Sequence, residues 1–394
     1  MISFDEAKDL IRLNARISKD ELIDLIDADG RTLAADVTAD RDYPPFNRSA
    51  MDGYALIEED WLAGIRNYFV AETIFAGQPS SVRLESGQCY KIMTGAAVPV
   101  PANAVIRVED SEPAGSFVNL SAGQLKTYMN IAVQGEDLKE GAVVLKKSMR
   151  LTPQSISILA AVGLRQVLVK KIPRVAVITT GDEVVEPGIA VMPYQIRNSN
   201  SYLIRSMLKI CGIIPDFVTH AADDQEVIKN TLTKALQSEL VIINGGVSAG
   251  DADYVPQLLE ALHVRKLFHK VAIRPGKPIW IGVKPDGGFV FALPGNPFSC
   301  MVTFNLFVKY YLNLVQGLET PGFLRLPFDG SRVRKVNLEE FFPVILDTVK
   351  MKLQPAAING SGDVRLGLKA QAIALHPKQK DVINQDELVD FFFL

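Results

Sequence analysis

The feature that most constrains the fold is a regular alternation of apolar runs and helical patterns between residues 174 and 315. Segments rich in apolar residues at 174–179, 215–219, 240–243 and 289–293 are followed by helical patterns at 202–210, 223–236, 253–262 and from 298 onward. Ser199 or Asn200 is expected to cap the first of these helices. Strands that are apolar on both faces lie under helices on both sides of a sheet, and the intervening helices make such strands parallel. The sequence therefore predicts a doubly wound parallel α/β sheet.

The segments on either side of this alternation have different patterns. Ser3 and Glu6 make a capping box that predicts a helix over residues 4–17, and Pro153 opens a second helix that runs to residue 162. Between residues 30 and 150, short apolar runs alternate with Gly- and Pro-rich turns, which is typical of a mainly β region. After Pro321 the helical patterns stop, and short strands up to residue 394 predict a small β domain.

A chain of 394 residues exceeds the size at which one hydrophobic core continues to grow, so several domains are expected. We predict a linking domain made of residues 1–45 and 138–170, a mainly β domain at 46–137, an α/β domain at 171–320 and a C-terminal β domain at 321–394. The predicted fold class is thus multidomain α/β plus β, with the mainly β domain inserted into the linking domain.

Charge and cysteine usage exclude several classes of function. A net charge of −3 and a pI near 5.9 argue against a general binder of nucleic acid or anionic membranes. The three cysteines and four histidines lack the CxxC and HExxH spacings of zinc sites, and this usage favours a reducing cytoplasm. The acidic start of the chain is unlike a signal peptide, and the polar residues within 298–315 indicate a buried or interface helix, not a membrane span.

Three of the predicted strands end in unusual loops. These are residues 180–183 after the first strand, 244–254 after the third, and 294–297 after the fourth. In a doubly wound sheet, ligands bind beyond the carboxyl ends of the strands, so the three loops are expected to meet at one site. The residues predicted to contact substrate in the first and last of these loops are Gly181, Asp182, Pro294, Gly295, Asn296 and Pro297.

The loop at 244–254 has the composition of an anion site. Gly245, Gly246 and Gly250 let backbone N–H groups approach a ligand closely, and the following helix directs its positive end to the same place. Ser248 adds a hydroxyl donor, so an oxyanion such as phosphate or molybdate would be favoured there. The alternative is a glycine-rich turn with Asp251 as a helix cap, and the common location of the three loops favours the anion site.

Carboxylates are concentrated at the same predicted edge. Where carboxylates face phosphate oxygens, Mg²⁺ usually lies between them, so Asp251, Asp253 and Glu183 are candidate metal ligands. Asp182 belongs to the same acidic group. The alternative is helix capping by Asp251 and Asp182, and both interpretations stay open for each residue taken singly.

A basic segment follows at residues 270–278. Lys270, Arg274 and Lys277 are spaced by four and three, and Pro275 excludes a continued helix. A bent loop of this kind can present cations to an anion, and the alternative is a solvated surface strand.

Three further motifs occur in the mainly β region. The Asp52-Gly53 pair is flanked by small and apolar residues and is compatible with a plain hairpin turn as well as with a site. Thr94 and Asp137 lie in polar insertions at 93–96 and 135–137. Taken alone, these insertions show only that polar residues interrupt a strand-rich region.

Taken together, these motifs resemble the molybdopterin molybdenumtransferase family, which comprises the bacterial MoeA proteins and the E domain of gephyrin. The resemblance spans nearly the whole chain, in family order, over residues 45–55 (PFNRSAMDGYA), 93–96 (MTGA), 135–137 (GED), 180–183 (TGDE), 245–254 (GGVSAGDADY), 274–278 (RPGKP) and 293–297 (LPGNP). Seven motifs in order are a specific signal, whereas no single one would be.

The resemblance implies a reaction and an assembly. Adenylyl-molybdopterin and molybdate would give molybdenum cofactor and AMP with the help of a divalent cation such as Mg²⁺. The protein would be a cytoplasmic homodimer of four-domain chains, joined through the linking domain and supplied with substrate by a molybdopterin adenylyltransferase. Its α/β domain would resemble the fold of that adenylyltransferase, and the active cleft would lie between this domain and the β domain of the partner subunit.

The resemblance also implies roles for individual residues. Residues at catalytic positions of the cleft would be Asp52, Thr94, Asp137, Glu183, Asp253, Lys270 and Arg274. Lys277 and Ser299 would contact the oxyanions, together with the glycine loop at 245–250. Three positions depart from the family pattern: Asn47 and Asn103 stand where aspartates are usual, and Ala132 stands where an arginine is usual. Residues 360–362 (GSG) match the family pattern, but the small polar segment that follows them differs from it.

Two other functions are compatible with parts of this sequence. The chain could be a molybdopterin adenylyltransferase, because the α/β domain shares that fold, but the additional β domains count against it. A scaffold is the third interpretation, since the E domain of gephyrin also anchors receptors. A pure scaffold leaves the polar motifs of the cleft without a purpose.

Overall fold

The predicted parallel strands lie side by side at the centre of the α/β domain, whose elements we number along the chain. Its strands are β1 (Val175–Thr180), β2 (Phe217–Ala221), β3 (Leu240–Asn244), β4 (Arg265–His269), β5 (Trp280–Val283) and β6 (Phe289–Leu293). Their order in the sheet is β2-β1-β3-β6-β5-β4, and the first four are parallel. Every residue of β1, β3, β5 and β6 is buried, which explains their uninterrupted apolar runs.

The two remaining strands depart from the parallel prediction. Strand β5 pairs antiparallel with both β4 and β6. Only residues 284–288 separate β5 from β6, and a parallel connection needs a crossover of a dozen or more residues. The basic segment at 270–278 therefore connects β4 to β5 at the antiparallel edge of the sheet.

Helices cover both faces of this sheet. They are α1 (Ser199–Ile210), α2 (Gln225–Ala235), α3 (Val255–Ala261), α4 (Pro297–Thr303) and α5 (Lys309–Val315), with a π-helical turn at Phe304–Val308 joining the last two. Val175 and Val177 of β1 pack in the core beneath α1 and α4, whereas Ala176 and Ile178 pack in the opposite core beneath α2 and α3. This alternation of one strand between two cores confirms the doubly wound arrangement.

Helix α1 begins at Ser199, three residues before the predicted start at residue 202. We expected Ser199 or Asn200 to cap it, but the N-cap is Asn198, whose side chain accepts a hydrogen bond from the Ser201 N–H. The Asn200 side chain does not cap the helix and forms hydrogen bonds with other loops instead.

The apolar segment Pro297–Val315 lies in the core. By length and composition alone it could cross a membrane, but 72% of its most apolar window is buried inside the protein. Phe298, Phe304 and Phe307 all belong to the core beneath the sheet. The burial agrees with the prediction of a buried helix.

The N-terminal helix adds to the same core. It spans Phe4–Asn14, and Ser3 and Glu6 form the predicted capping box at its start. Phe4, Ala7 and Ile11 are its buried face. The helix ends three residues before the predicted position 17, because Ala15 adopts an extended conformation.

The computed structural model describes residues 1–246, 254–320 and 322–394, and the chain divides into two units. The first consists of Met1–Ala34, Ser148–Thr152 and Val167–Leu394, and the second of Ala35–Lys147 and Pro153–Gln166. The finer division into four domains stays a prediction.

The second unit is mainly β, as predicted. Its six-stranded sheet has the spatial order Ala104–Arg107, Gly53–Leu56, Gln88–Ile92, Asn67–Ile74, Phe117–Leu120 and Ser111–Ala114. Further strands are Val37–Thr38, Arg48–Ser49, Ile131–Ala132 and Val143–Leu145, and the helices are Glu58–Leu62, Pro153–Ala161 and the 3-10 turn Val108–Asp110. Tyr68 and Tyr90 are fully buried, in two separate apolar cores of this unit.

The Asp52-Gly53 pair is not a hairpin turn. The strands on its two sides, Arg48–Ser49 and Gly53–Leu56, belong to different sheets. Gly53 instead lies where two backbones approach closely, since a Cβ at this position would be 2.0 Å from the carbonyl oxygen of Ile106. The glycine is therefore required by packing within the sheet.

The C-terminal β domain is built on a second sheet that takes one strand from the α/β segment. The order is Ile273–Arg274, Glu339–Asp347, Ala372–His376, Leu388–Phe393 and Leu324–Pro327, with Lys352–Pro355 also paired to the second strand. Arg332–Val333 pairs with Val382–Ile383. Elements outside these sheets are Asp20–Asp24, Gln166–Lys170, Val184–Val185, Ile196–Arg197 and the 3-10 turn Leu25–Asp27. The strand Ile273–Arg274 thus brings the basic segment onto the C-terminal domain.

We predict that Gly53→Ala destabilises the second unit by about 1–3 kcal/mol, because the added methyl group overlaps backbone atoms that cannot rotate away. Urea denaturation followed by circular dichroism measures the change. Gly123→Ala is the matched control: a Cβ there meets no atom within 4 Å. Equal stability of the two variants would show that Gly53 is not constrained by packing.

Candidate functional site

A large cleft lies in the first unit, beyond the carboxyl ends of β1, β3 and β6. Its volume is about 1130 Å³, which exceeds the usual range for small-molecule sites of roughly 300–1,000 Å³. The C-terminal domain supplies the opposite wall with residues between 332 and 364. The predicted site residues that line the cleft are Gly181, Glu183, Gly245, Gly246, Arg274, Lys277, Pro294, Gly295, Asn296, Pro297 and Ser299.

Strand register explains why the three loops meet. In the parallel ladders, Thr179 pairs with Asn244, and Asn244 pairs with Leu293. All three strands therefore end at the same level, and the Gly245 N–H donates to the Leu293 carbonyl at 3.3 Å. The prediction that these loops share one location is confirmed for their described residues.

A buried amide on helix α1 ties two of the loops together. Asn200 donates through its amide nitrogen to the Asn244 side-chain oxygen at 2.8 Å and to the Gly295 carbonyl at 2.6 Å. Asn244 in turn donates to the Pro294 carbonyl at 2.8 Å. Sequence reasoning missed this role, because Asn200 was interpreted as a helix cap and its partners are distant in the sequence.

The described start of the glycine loop has a backbone conformation that favours glycine. Gly245 and Gly246 have φ values of +98° and +64°. A Cβ on Gly245 would be 2.8 Å from the Thr180 hydroxyl and 2.9 Å from the Thr180 carbonyl oxygen. Neither space nor conformation admits a side chain at Gly245. The predicted contacts Ser248, Gly250, Asp251 and Asp253 lie outside the described residues.

One side of the cleft is acidic. Glu183 and Asp223 line it, and the Asp182 carboxylate accepts a hydrogen bond from the Asp223 N–H at 2.9 Å. Asp182 therefore joins the loops after β1 and β2 and does not cap a helix. Burial raises the pKa of Asp223 above its ordinary value, and the charges of Asp182 and Glu183 raise it further. Asp223 was not predicted as a site residue.

The acidic residues do not by themselves form a metal site. Among the residues that the structure describes, no group of three or more His, Cys, Asp or Glu side chains is arranged to hold a metal ion. Two of the three predicted ligands, Asp251 and Asp253, lie outside that part of the chain. The ligand roles of Glu183, Asp251 and Asp253 stay a prediction.

The other side of the cleft is basic. Arg274 and Lys277 line it with exposed side chains, as expected for cations presented to an anion. Lys270 is half-buried between β4 and β5 with a φ of +72°, and it does not border the cleft. Three further cations that sequence reasoning did not single out, Arg197, Lys335 and Arg332, also line the cleft.

The C-terminal domain reaches the loop after β6 through residue 361. The Asn296 amide donates to the Ser361 hydroxyl at 3.2 Å, and the Phe298 N–H donates to the Ser361 carbonyl at 3.0 Å. Ser299 is buried at the start of α4, and its carbonyl accepts from Thr303 at 2.8 Å. The small residues at 360–362 therefore fix the start of α4 against the C-terminal domain.

The remaining predicted residues lie in the second unit. The Asp52 carboxylate accepts hydrogen bonds from both the backbone N–H and the hydroxyl of Thr94, each at 2.7 Å. These bonds lower the pKa of Asp52 below its ordinary value. Asp137 is exposed, and its N–H donates to the Tyr43 carbonyl at 3.0 Å. The structure thus joins Asp52 and Thr94, as one hydrogen-bonded pair.

Fold and cleft together define a multidomain protein whose doubly wound α/β domain carries the ligand site. Comparison with protein families assigns both parts of the chain. Residues 2–163 match the MoeA N-terminal region (domain I and II), and residues 176–313 match a probable molybdopterin binding domain. The chain belongs to the MoeA family.

Individual relatives support the same assignment. The chain is 33% identical to a molybdopterin molybdenumtransferase of Staphylococcus epidermidis, over 93% of this chain and 90% of the relative. It is also 33% identical to the Synechocystis protein of that name, with 92% of each chain covered. The crystal structure of the molybdopterin biosynthesis MoeA protein from Pyrococcus horikoshii superposes with a TM-score of 0.84, at 29% identity and with 100% of both chains covered.

The acidic side of the cleft gives a pH-dependent prediction. Because the folded-state pKa of Asp223 is raised, the folded protein binds more protons than the unfolded chain between the two pKa values, and stability falls as pH rises through that window. We therefore predict that Asp223→Asn raises the melting temperature at pH 7.5 by about 1–3 °C. The gain should vanish below the unfolded pKa of 3.8.

Calorimetry at pH 7.5 and at a pH below 3.8 measures the difference in melting temperature between the variant and the wild type. Asp224→Asn is the control, since Asp224 is the N-cap of α2 and asparagine caps equally well. A loss of stability in Asp223→Asn at pH 7.5 would contradict the assigned cause of the pKa shift.

Proposed function

We propose that the protein is a molybdopterin molybdenumtransferase, an enzyme of molybdenum cofactor biosynthesis. It would insert molybdenum from molybdate into adenylyl-molybdopterin and release AMP. The observation that carries the proposal is one cleft that combines a glycine loop with a basic wall, in a chain that matches both MoeA-family regions. The relatives that carry this name align over nine-tenths of the chain.

The cleft has the chemistry that such a substrate requires. Adenylyl-molybdopterin carries a phosphoanhydride, and the absence of side chains at Gly245 and Gly246 lets its oxygens approach the backbone there. Arg274 and Lys277 offset the charge of molybdate and the charge that develops on phosphate. The volume of about 1130 Å³ suits a ligand that joins a pterin to a nucleotide.

In the proposed reaction, water or a molybdate oxygen attacks the phosphoanhydride. The new bond forms to the phosphorus of the pterin phosphate as the bond from that phosphorus to the bridging oxygen breaks, and AMP leaves with that oxygen. The two thiol sulfurs of the pterin bind molybdenum, and their two protons leave with one molybdate oxygen as water. Fixed cations stabilise the additional negative charge without having to reorient during the reaction. We assign this role to Arg274 and Lys277, and we keep Lys270 as a more distant candidate, because it does not border the cleft.

A divalent cation, with Mg²⁺ as the first choice, is part of the proposal. Asp182, Glu183 and Asp223 supply the oxygen donors that Mg²⁺ prefers. Burial is the main cause of the raised pKa of Asp223, and the charges of Asp182 and Glu183 add to it, so a bound cation would favour the ionised carboxylates. The described residues do not complete a coordination shell, so the predicted ligands Asp251 and Asp253 would have to contribute. When bound, the cation would neutralise charge on the anhydride oxygens.

We further propose that the enzyme works as a cytoplasmic homodimer. In this arrangement Asp52, Thr94 and Asp137 of one subunit would complete the cleft of the other, in line with the resemblance that assigns them catalytic positions. The Asp52–Thr94 hydrogen bonds keep that carboxylate ionised and oriented. The substrate would be received from a molybdopterin adenylyltransferase. The three cysteines are free thiols, which suits a reducing compartment.

Molybdate-dependent release of AMP from adenylyl-molybdopterin tests the function. We predict that Arg274→Ala and Lys277→Ala each lower kcat/KM by about 10²-fold, because each removes a cation that faces the developing charge. Lys266→Ala is the matched control, since Lys266 forms an exposed ion pair with Glu260 away from the cleft.

The outcomes separate the alternative functions. AMP release that requires molybdate supports insertion. Formation of adenylyl-molybdopterin from ATP and molybdopterin, without such release, would favour an adenylyltransferase. If neither reaction occurs and a stable protein partner is recovered, the protein is a scaffold. Unchanged kcat/KM in both cleft variants would refute the assigned basic wall.

A further inference from the structure

A row of three ionisable residues crosses the C-terminal sheet at the wall of the cleft. Glu340 pairs with Arg274 on the parallel strand at one side and with His376 on the antiparallel strand at the other. Side chains at paired positions of neighbouring strands lie on the same face of a sheet. The row therefore places a carboxylate between a guanidinium group and an imidazole ring.

Glu340 is a buried carboxylate with a full set of partners. Its side chain is 2% exposed, and one oxygen accepts from the N–H groups of Lys335 and Val336, each at 3.1 Å. The other oxygen accepts from the Arg332 guanidinium at 2.6 Å. Burying an ion pair contributes little net stability in general, so a buried carboxylate of this kind calls for another explanation.

Arg332 is held at a fixed position by three neighbours. Besides its bond to Glu340, it donates to Nδ1 of His376 at 2.7 Å, and its guanidinium lies 4.2 Å from the centre of the Phe342 ring. A guanidinium group can only donate, so Nδ1 of His376 must accept. The proton of the neutral ring is then on Nε2, which donates to the Lys380 carbonyl at 2.9 Å.

The imidazole is suited to stay neutral in this place. Burial lowers the pKa of His376, and the positive charge of Arg332 lowers it further. Arg334 also lowers this pKa, whereas the Lys380 carbonyl and the Glu340 carboxylate act in the opposite direction. A neutral ring can accept from Arg332, whereas a protonated ring would repel it.

The Arg274 side chain is more exposed than that of Arg332 and is held less tightly by Glu340. Its side chain is 47% exposed, and its Nη1 lies 3.6 Å from the Glu340 carboxylate, which is an ion pair longer than a hydrogen bond. The attraction draws Arg274 toward the wall while leaving its donors available to the cleft. Glu340 is also the charge that separates two guanidinium groups which would otherwise repel each other.

We infer that Glu340 is a positioning residue, which holds Arg274 and Arg332 as a fixed pair of cations for the phosphate and molybdate oxyanions of the substrate. This inference rests on the proposed function. His376 completes the arrangement by holding Arg332 from the other side. Cations fixed in advance stabilise developing charge without reorganisation, whereas a free arginine would first have to be oriented.

The test removes the charge of Glu340 and keeps its shape. We expect Glu340→Gln to lower kcat/KM for molybdate-dependent AMP release by about tenfold or more, because Arg274 loses its orientation. In an Arg274→Ala background the same change should lower kcat/KM by less than about threefold, because Arg274, the exposed one of the two cations that Glu340 positions, is absent. Equal effects in both backgrounds would mean a merely structural role and would overturn the inference.

Asp390→Asn is the matched control for this substitution. Asp390 forms an ion pair with Arg325 in the same sheet and does not border the cleft. It should leave kcat/KM within about twofold of the wild type, as expected for an exposed pair. A loss in Asp390→Asn equal to that in Glu340→Gln would show that any broken pair in this sheet has the same effect, and the inference would fail.

A binding measurement separates this inference from the proposed function. Tungstate binding to the full-length protein, measured by calorimetry, does not require turnover. We expect about tenfold weaker tungstate binding in Glu340→Gln, and in His376→Phe, which removes the other acceptor of Arg332, should the first variant not fold. Wild-type binding in a folded variant would overturn the positioning role. If the wild-type protein releases no AMP but the variants bind tungstate more weakly, the proposed reaction fails and the positioning role stands.

Discussion

Parallel pairing of β1, β3 and β6 is the constraint on which the site depends. The pairs Thr179–Asn244 and Asn244–Leu293 end all three strands at one level, so their loops emerge at the same edge. The buried Asn200 amide then fixes two of these loops to each other through Asn244 and the Gly295 carbonyl. A slip in register would separate the glycine loop from the loop at 294–297 and would leave these buried amides without partners.

Acidic and basic side chains line different parts of the cleft at this edge of the sheet. Carboxylates of Glu183 and Asp223 lie at the ends of the strands, and the cations Arg274 and Lys277 lie where the chain leaves the sheet. Part of the basic wall belongs to the C-terminal domain, because Ile273–Arg274 pairs with Glu339–Asp347 of its sheet. The cleft is thus built from two domains of the first unit, and the C-terminal domain orients cations that the α/β segment supplies.

Local sequence patterns predicted the parts of the structure that depend on local physics. Continuous apolar runs identified the buried parallel strands, and the capping box identified the first helix. Strands β4 and β5 were missed, because β4 has exposed polar positions and both lie next to a basic loop. The mistaken cap at Asn200 has a similar cause. An asparagine near the start of a helix can cap that helix or bind neighbouring loops, and only the tertiary contacts show which of the two it does.

Sequence patterns did not reveal the site residues whose partners are distant along the chain. Gly245, Gly246 and Arg274 belong to recognisable motifs, whereas Asp223, Arg332 and Glu340 belong to none. Glu340, for example, reaches the cleft through its strand pairing with Arg274. A buried glutamate within a β strand gives no signal until its partners are known. Residues 247–253, which include Ser248, Gly250, Asp251 and Asp253, lie outside the described residues, so the roles assigned to those four stay predictions.

The central claim is that this cleft binds both the nucleotide phosphate and the metal oxyanion. A crystal structure of the protein soaked with AMP and tungstate tests it most directly, because tungsten is located by its anomalous scattering. We predict a tungsten peak beside Arg274 and Lys277, with the AMP phosphate in the same cleft. Tungsten and AMP bound only at sites outside the cleft, with the cleft accessible in the crystal, would show that this cleft is not the substrate site.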